Sequence, residues 1–346
     1  MKAKKIIGLC LAAALVVGMV GCQSATSNGG NNTQQEASAE KVTLKIGQTN
    51  FAAHGTKAFA MVTAVVNGDE IVDAYIDEFQ YMSADSATGI VNSEGMADNI
   101  AEGKVLASKR ENNETYSASL AEKAGSTVKY TDNLVAIQDF VKGKKISELE
   151  DLVNNKSAEE VTDAVTGATL ADTAGYIKAV LEAAKQAEGT TGVEFAGNLE
   201  DLKLSQVYAA AHGTKAFAVV SALTDNDKVV LSYIDEYQFM AADGTTGVAN
   251  STEGLADNVV EGKVLASKRQ NSDAYSATMA EKAGSTVKFA DNLNAIQEFV
   301  DGKTVSELEE VTAKTNEEVT DAVTGATLAD TAGYINGVIQ AAKSAQ

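Results

Sequence analysis

Cysteine is almost missing from this sequence. Of 346 residues two are cysteine, Cys10 and Cys22, too few for a cysteine cluster around zinc or iron–sulfur. No Cys-x-x-Cys-His haem attachment motif occurs. Histidine is as scarce: His54 and His212 are the only two, each in a His-Gly-Thr-Lys segment. One histidine per segment, without a carboxylate and a serine or cysteine nucleophile around it, makes a poor hydrolase site. Zinc generally takes three or four protein ligands, so no metal site is expected. Arginine is limited to Arg110 and Arg269, which leaves no cluster for gripping carboxylate substrates. Basic residues are outnumbered, 28 Lys and Arg against 48 Asp and Glu, for a net charge of −20. That balance excludes nucleic acid as a partner and docking on an anionic membrane surface, and it favours solubility. Proline and tryptophan are absent, and neither absence points to a function.

Long apolar runs are also few. One follows Lys2, Lys4 and Lys5 over residues 6–20, too short for a comfortable membrane span, and Val-Gly-Met-Val-Gly-Cys22 closes it. This order predicts a secretory signal over residues 1–21. Its last residues resemble the bacterial lipobox, which implies cleavage before Cys22 and lipidation of the Cys22 sulfur. The expected location is the outer face of the cytoplasmic membrane, lipid-anchored, at the cell surface of a Gram-positive bacterium. Residues 11–21 also have the composition of a released signalling peptide, but any signal peptide requires it. Without the three signal lysines, 25 basic residues face 48 acidic ones. With Cys10 removed and Cys22 lipidated, no disulfide or thiol pair is left, so any electron transfer falls to an organic cofactor. Residues 22–40, the anchor cysteine and a Ser-, Asn-, Gly- and Gln-rich stretch, cannot bury a core and read as a disordered tether.

What the chain has in abundance is repetition. Asp163-Ala-Val-Thr-Gly-Ala-Thr-Leu-Ala-Asp-Thr-Ala-Gly-Tyr-Ile177 returns unchanged from Asp321 to Ile335. Tyr75-Ile-Asp-Glu78 returns at Tyr233, and Lys104-Val-Leu-Ala-Ser-Lys-Arg110 at Lys263. A period this long marks two tandem domains rather than a solenoid, each large enough for its own core. They are placed at residues 41–188 and 205–346, with 189–204 as a connector or first strand. Residues 58–66 and 71–82, rich in β-branched and aromatic types, flank Asn67-Gly68 and predict a β-hairpin. Asp132 and Asp291 are candidate helix caps, and Ser147-Glu-Leu-Glu150 and Ser306-Glu-Leu-Glu309 fit capping boxes. The fold class is α+β: a hairpin, several helices, the Thr-Gly-Ala-Thr loop and a final helix.

That final helix follows from Leu170, Ala174, Ile177, Leu181 and Ala184, spaced by three and four. The loop before it then sits at a helix start, where unpaired N–H groups and the dipole suit a phosphate. The plain reading is a threonine cap and turn glycine. The wider pattern Asp-x-x-Thr-Gly-Ala-Thr, at Asp163, Thr166, Gly167, Ala168, Thr169 and again at Asp321, Thr324, Gly325, Ala326, Thr327, resembles the flavinylation motif of the FMN-binding domain family. The C subunit of the sodium-pumping NADH:quinone reductase and the G subunit of the Rnf complex belong to that family. The resemblance implies FMN held by a phosphoester to Thr169 and to Thr327, installed by an ApbE-type flavin transferase. With the lipobox and tether, the whole chain is similar to PplA-type lipoproteins, flavinylated proteins of extracellular electron transfer. That similarity implies a surface-anchored diflavin carrier. Electrons would arrive from a membrane NADH dehydrogenase and quinone route through membrane donor proteins, and leave to an extracellular acceptor such as ferric iron.

Candidate contacts to the flavin are His54, Lys57, His212 and Lys215, since a cationic or protonatable group near the N1/O2 edge stabilises reduced flavin. Tyr75, Phe79 and Tyr81, with Tyr233, Tyr237 and Phe239, share a strand face and are candidates for an aromatic wall or for core. The competing function is a non-redox surface ligand-binding lipoprotein whose Thr-Gly-Ala-Thr loops are helix caps. A flavoenzyme with its own substrate is disfavoured by the two lone arginines.

Overall fold

The computed structural model describes residues 41–345; the expected signal, Cys22 and the tether lie outside the described residues. The hairpin forms where its pattern places it. Strand β1 (Val42–Phe51) leads into β2 (Ala58–Asn67) and β3 (Glu70–Ser83), with Asn67 opposite Glu70 and Gly68 at φ +58°. That positive φ is what the glycine supplies. β4 (Lys104–Ser108) and β5 (Val193–Phe195) complete a five-stranded antiparallel sheet in the order β4-β3-β2-β1-β5. The second repeat builds β6 (Leu202–Ala209), β7 (Ala216–Asp225), β8 (Lys228–Ala241) and β9 (Lys263–Ser267), in that order, as a second antiparallel sheet. The segment after residue 189 therefore has two roles: Val193–Phe195 extends the first sheet and Leu202 begins the second.

Among the described residues eleven α-helices accompany the sheets. In the first repeat they are α1 (Ser93–Met96), α2 (Asn113–Ala124), α3 (Tyr130–Val141), α4 (Ile146–Asn155), α5 (Ala158–Ala164) and α6 (Thr173–Glu188). In the second they are α7 (Ser272–Ala283), α8 (Phe289–Val300), α9 (Val305–Thr312), α10 (Asn316–Ala322) and α11 (Thr331–Ser344). Among the described residues no helix is long and apolar enough to cross a membrane. The mixed α and β character agrees with the sequence reading, but several helix starts do not. α3 and α8 begin after Lys129 and Lys288, ahead of Asp132 and Asp291. The second-copy capping box is Thr304 with Glu307, two residues before Ser306, and the first copy starts likewise after Lys145. Ser147 hydrogen-bonds Asp69 instead. Leu170 stays outside α6, although it packs on the core.

Strand β2 explains the layering. Nine of its ten residues are buried in a row, so both of its faces are covered. Ala60, Val62, Ala64 and Val66 meet the helices, where α6 packs Ile177, Val180, Ala183 and Ala184. Small residues let the helix come close: a Cβ on Gly47 would lie 2.3 Å from the Ala183 carbonyl oxygen. Phe59 and Met61, on the other face, join Phe79, Tyr81, Phe217, Val219, Tyr237 and Phe239 in one cluster drawn from both repeats. Each such side chain contributes roughly 1.5–3 kcal/mol when fully buried. The layers run helices, sheet, sheet, helices, and the two sheets share a core. On this face Phe79 and Tyr81, with Tyr237 and Phe239 of the second repeat, pack between the sheets, which agrees with the core alternative for these four. Phe79 packs edge-on against Tyr208 at 5.0 Å, and Tyr75 lies under Arg110 at 4.6 Å.

Asp301, just after α8, sits against β8 and accepts from the Ser232 hydroxyl at 2.7 Å. Burial pushes its carboxyl up to about 7, against an ordinary 3.8. A raised folded-state value favours the protonated acid on folding, so this stability is fully present below the unfolded value and lost as pH rises through about 7. Asp301→Asn should therefore raise the melting temperature at pH 8 and flatten its fall between pH 5 and 8, as thermal unfolding at both pH values will test.

Candidate functional site

The Thr-Gly-Ala-Thr loop is held at both ends. Ahead of it, Ser157 and Glu160 cap α5 reciprocally, and Val161 and Val165 anchor it in the core. Gly167 then turns the chain at φ +94°, a conformation that suits glycine. Behind it, the Leu170 carbonyl accepts from the Thr162 hydroxyl at 3.2 Å, the Thr173 hydroxyl at 2.7 Å and the Thr173 N–H at 3.0 Å. Between these points Thr169 is exposed. Its N–H and its hydroxyl both meet one atom, Asn133 Oδ1, at 2.6 and 3.2 Å. Asn133 is fully buried and its Nδ2 donates to the Lys129 carbonyl at 2.9 Å, which fixes the amide orientation. Donating its O–H to an amide oxygen uses neither lone pair of the exposed Thr169 hydroxyl. The second copy repeats this: Thr327 meets Asn292 Oδ1 at 2.6 and 3.2 Å.

Neither threonine is a helix cap. α6 and α11 begin four residues later, at Thr173 and Thr331, with Asp172 and Asp330 in the N-cap positions. A loop feeding directly into a helix start is therefore corrected, and with it the idea that the helix N–H groups reach the threonine.

A cleft of about 460 Å³ opens beside Thr169. Its walls include His54, Tyr116, Tyr130, Asp172 and Tyr176. A second cleft of about 680 Å³, lined by Lys57, Tyr81 and Lys123, shares His54, Tyr116 and Leu120 with it. His54 follows Ala53, and a Cβ on Gly175 would lie 2.0 Å from the Ala53 carbonyl oxygen. That glycine lets the first turn of α6 sit directly on the strand end that carries the histidine.

Beneath the cleft lies a buried ion pair. Lys109 on the exit of β4 and Glu78 on β3 are both fully buried and paired with each other. Tyr176 donates to the same Glu78 oxygen at 3.0 Å, Tyr130 approaches it at 3.4 Å, and the two hydroxyls are 3.2 Å apart. Burial raises the Glu78 carboxyl, but the Lys109 charge and then His54 outweigh it, so the net direction is down. Burial lowers Lys109, but Glu78 outweighs it and the net direction is up. Both groups stay charged, and burial together with neighbouring charges pushes Tyr130 and Tyr176 well above the phenol range. The Lys109 ammonium also lies 4.6 Å from the Tyr116 ring centre.

His54 bridges this buried pair and the surface. Its Nδ1 is 3.4 Å from Lys109 Nζ and 3.6 Å from Glu78, and its Nε2 is 3.7 Å from Asp172. Nδ1 thus faces a donor, the Lys109 ammonium, and an acceptor, the Glu78 carboxylate, while Nε2 faces Asp172. His212 repeats the set with Lys268 at 3.3 Å, Glu236 at 3.6 Å and Asp330 at 3.8 Å.

The expected residues thus divide. Thr169 and His54 line one cleft, and Lys57 lines the adjoining one. Asp163 sits on the exposed side of α5, Thr166 is exposed in the turn, and Ala168 packs on the core. In the second copy Asp321, Thr324 and Lys215 are exposed and Ala326 is buried. Reasoning from sequence missed Asn133, Glu78, Lys109, Tyr116, Tyr130, Asp172 and Tyr176. Glu78 and Lys109 lie in segments that recur intact, but so do many core residues. No family model, curated protein or solved structure matches the chain.

Breaking one side of a buried pair leaves an uncompensated charge. Lys109→Met should cost about 3–5 kcal/mol in urea unfolding at neutral pH, and Glu78→Gln added to it should recover most of that loss.

Proposed function

We propose that the protein is an electron carrier with one FMN attached covalently at Thr169 and a second at Thr327. The observation that carries this reading is the state of the two hydroxyls. Each is exposed and bonded to a buried asparagine, and Thr169 is set at the mouth of a polar and aromatic recess that also contains a histidine. Residues with no role beyond capping would not need a hydroxyl presented in this way.

The recess fits the group. Its volume of about 460 Å³ lies in the range of small-molecule sites, roughly 300–1,000 Å³. Tyr116 and Tyr176 offer aromatic surface, and one oxygen of Glu78 is buried without a partner. FMN, when bound, supplies the one- and two-electron chemistry that no side chain of this sequence provides. The chain's own residues do the rest. Thr169 tethers the cofactor through a phosphoester, and Asn133 keeps the tether point in place. His54 places its Nε2 at the cleft, beside Asp172. The Lys109–Glu78 pair keeps a fixed dipole under the site in a dry environment, where it acts more strongly than in water.

On this reading the two repeats are tandem FMN-binding-like units of a surface lipoprotein. An ApbE-type transferase loads them. Membrane proteins deliver electrons and an extracellular acceptor takes them, with no substrate turnover by the protein itself.

Intact mass of protein coexpressed with a flavin transferase tests the attachment. Two additions of FMN less water are expected, one after Thr169→Ala or Thr327→Ala, and none after both. An unmodified mass beside a modified control protein would remove the flavin reading.

A further inference from the structure

The loop that carries each histidine is fastened by the opposite repeat. Asn250 donates from Nδ2 to the Gly55 carbonyl at 2.9 Å and to the Ala58 carbonyl at 2.7 Å. Asn92 donates to the Gly213 carbonyl at 3.0 Å and to the Ala216 carbonyl at 2.7 Å. These are the same contacts read in opposite directions: Gly213 and Ala216 lie 158 positions after Gly55 and Ala58, and Asn92 lies 158 positions before Asn250. Both asparagines adopt a left-handed backbone, φ 64° at Asn92 and 63° at Asn250, which asparagine tolerates better than most residues.

Further contacts close the clasp. The Ala249 N–H donates to Asn50 Oδ1 at 2.8 Å, one strand end before His54. A Cβ on Gly254 would meet the Thr56 hydroxyl at 2.8 Å and Lys57 Cγ at 3.0 Å. A Cβ on Gly95 would lie 1.9 Å from the Thr214 carbonyl oxygen. Thr56 and Lys57 themselves are exposed. The loop between Gly55 and Ala58 therefore takes a side-chain anchor at each end, both from the one Asn250 amide of the other repeat.

We propose that Asn250 is the positioning residue for His54, and Asn92 for His212, so that each site is completed by the other repeat. The function of the histidines rests on the flavin reading, but their placement does not. The consequence is a crossed pattern: damage to the second repeat at Asn250 is felt at the Thr169 site, and damage at Asn92 is felt at the Thr327 site.

The chain has two histidines, so a proton NMR spectrum of the cofactor-free protein contains two imidazole Cε1–H signals. His54→Gln and His212→Gln assign them. Glycine keeps the left-handed turn and removes only the donated hydrogen bonds, so Asn250→Gly and Asn92→Gly are the test. Asn250→Gly should shift the His54 signal and leave His212 in place; Asn92→Gly should do the reverse. Gly254→Ala and Gly95→Ala press on the two loops without removing a hydrogen bond, and should move His54 and His212 respectively. Asn250→Asp faces two carbonyl oxygens with a carboxylate and should displace His54 further than glycine does. Signals that do not move, that move together, or that move in the same repeat as the substitution would overturn the proposal. Since no cofactor is present, that failure is separate from a failure of the flavin reading.

Discussion

The packing of one sheet against the other is the contact on which the rest of the molecule depends. Thr63 and Ser221 are equivalent residues of the two repeats, and their hydroxyls lie 2.8 Å apart. A residue that touches its own counterpart marks an approximate two-fold axis. Ile100 and Val259 bridge across the same relation, with Ala101 bonded to Asn258 and Val260 to Asn99. Around the axis stand the stacked rings Phe59 and Phe79, at 5.2 Å, and Phe217 and Tyr237, at 5.5 Å. This contact uses the aromatic faces of β3 and β8. The cleft beside Thr169 takes its rings from the helix side of the first sheet, where Tyr116, Tyr130 and Tyr176 are supplied by α2, α3 and α6.

The same geometry sets the electrostatics. Alternation along β3 sends Asp77 toward the other sheet and Glu78 toward the helices. Asp77 is satisfied there by the hydroxyls of Ser108 and Tyr208, and burial pushes its carboxyl up. Glu78 meets Lys109 instead and is held down. Two adjacent carboxylates thus have opposite environments, one built into the shared core and one under the cleft. The two copies also differ by a hydroxyl. Phe289 stands in the second repeat where Tyr130 stands in the first, so Glu236 lacks the second phenol that approaches Glu78.

Much of this was legible in the sequence. The β2–β3 hairpin, the two-fold repetition and the mixed class follow from local pattern, and Thr169, Thr327, His54 and His212 stand out as rare or repeated residues. Helix starts were less legible because Lys129 and Lys288 begin helices without a capping side chain, while nearby Asp132 and Asp291 carry the usual signal. The aromatic strand face was ambiguous because period two marks burial without saying against what. A second sheet took it. Asn133, Lys109 and Asn250 were invisible because their partners lie 36, 31 and up to 195 residues away. No spacing rule connects a buried asparagine to the loop it holds at that distance.

Counting electrons tests the central claim most directly. Protein coexpressed with a flavin transferase should be titrated with a reductant under anaerobic conditions while its visible absorbance is followed. Two FMN groups should take up about four electrons per chain, and Thr169→Ala or Thr327→Ala should lower this to about two. An absence of uptake, or an uptake that both substitutions together leave unchanged, would contradict the account.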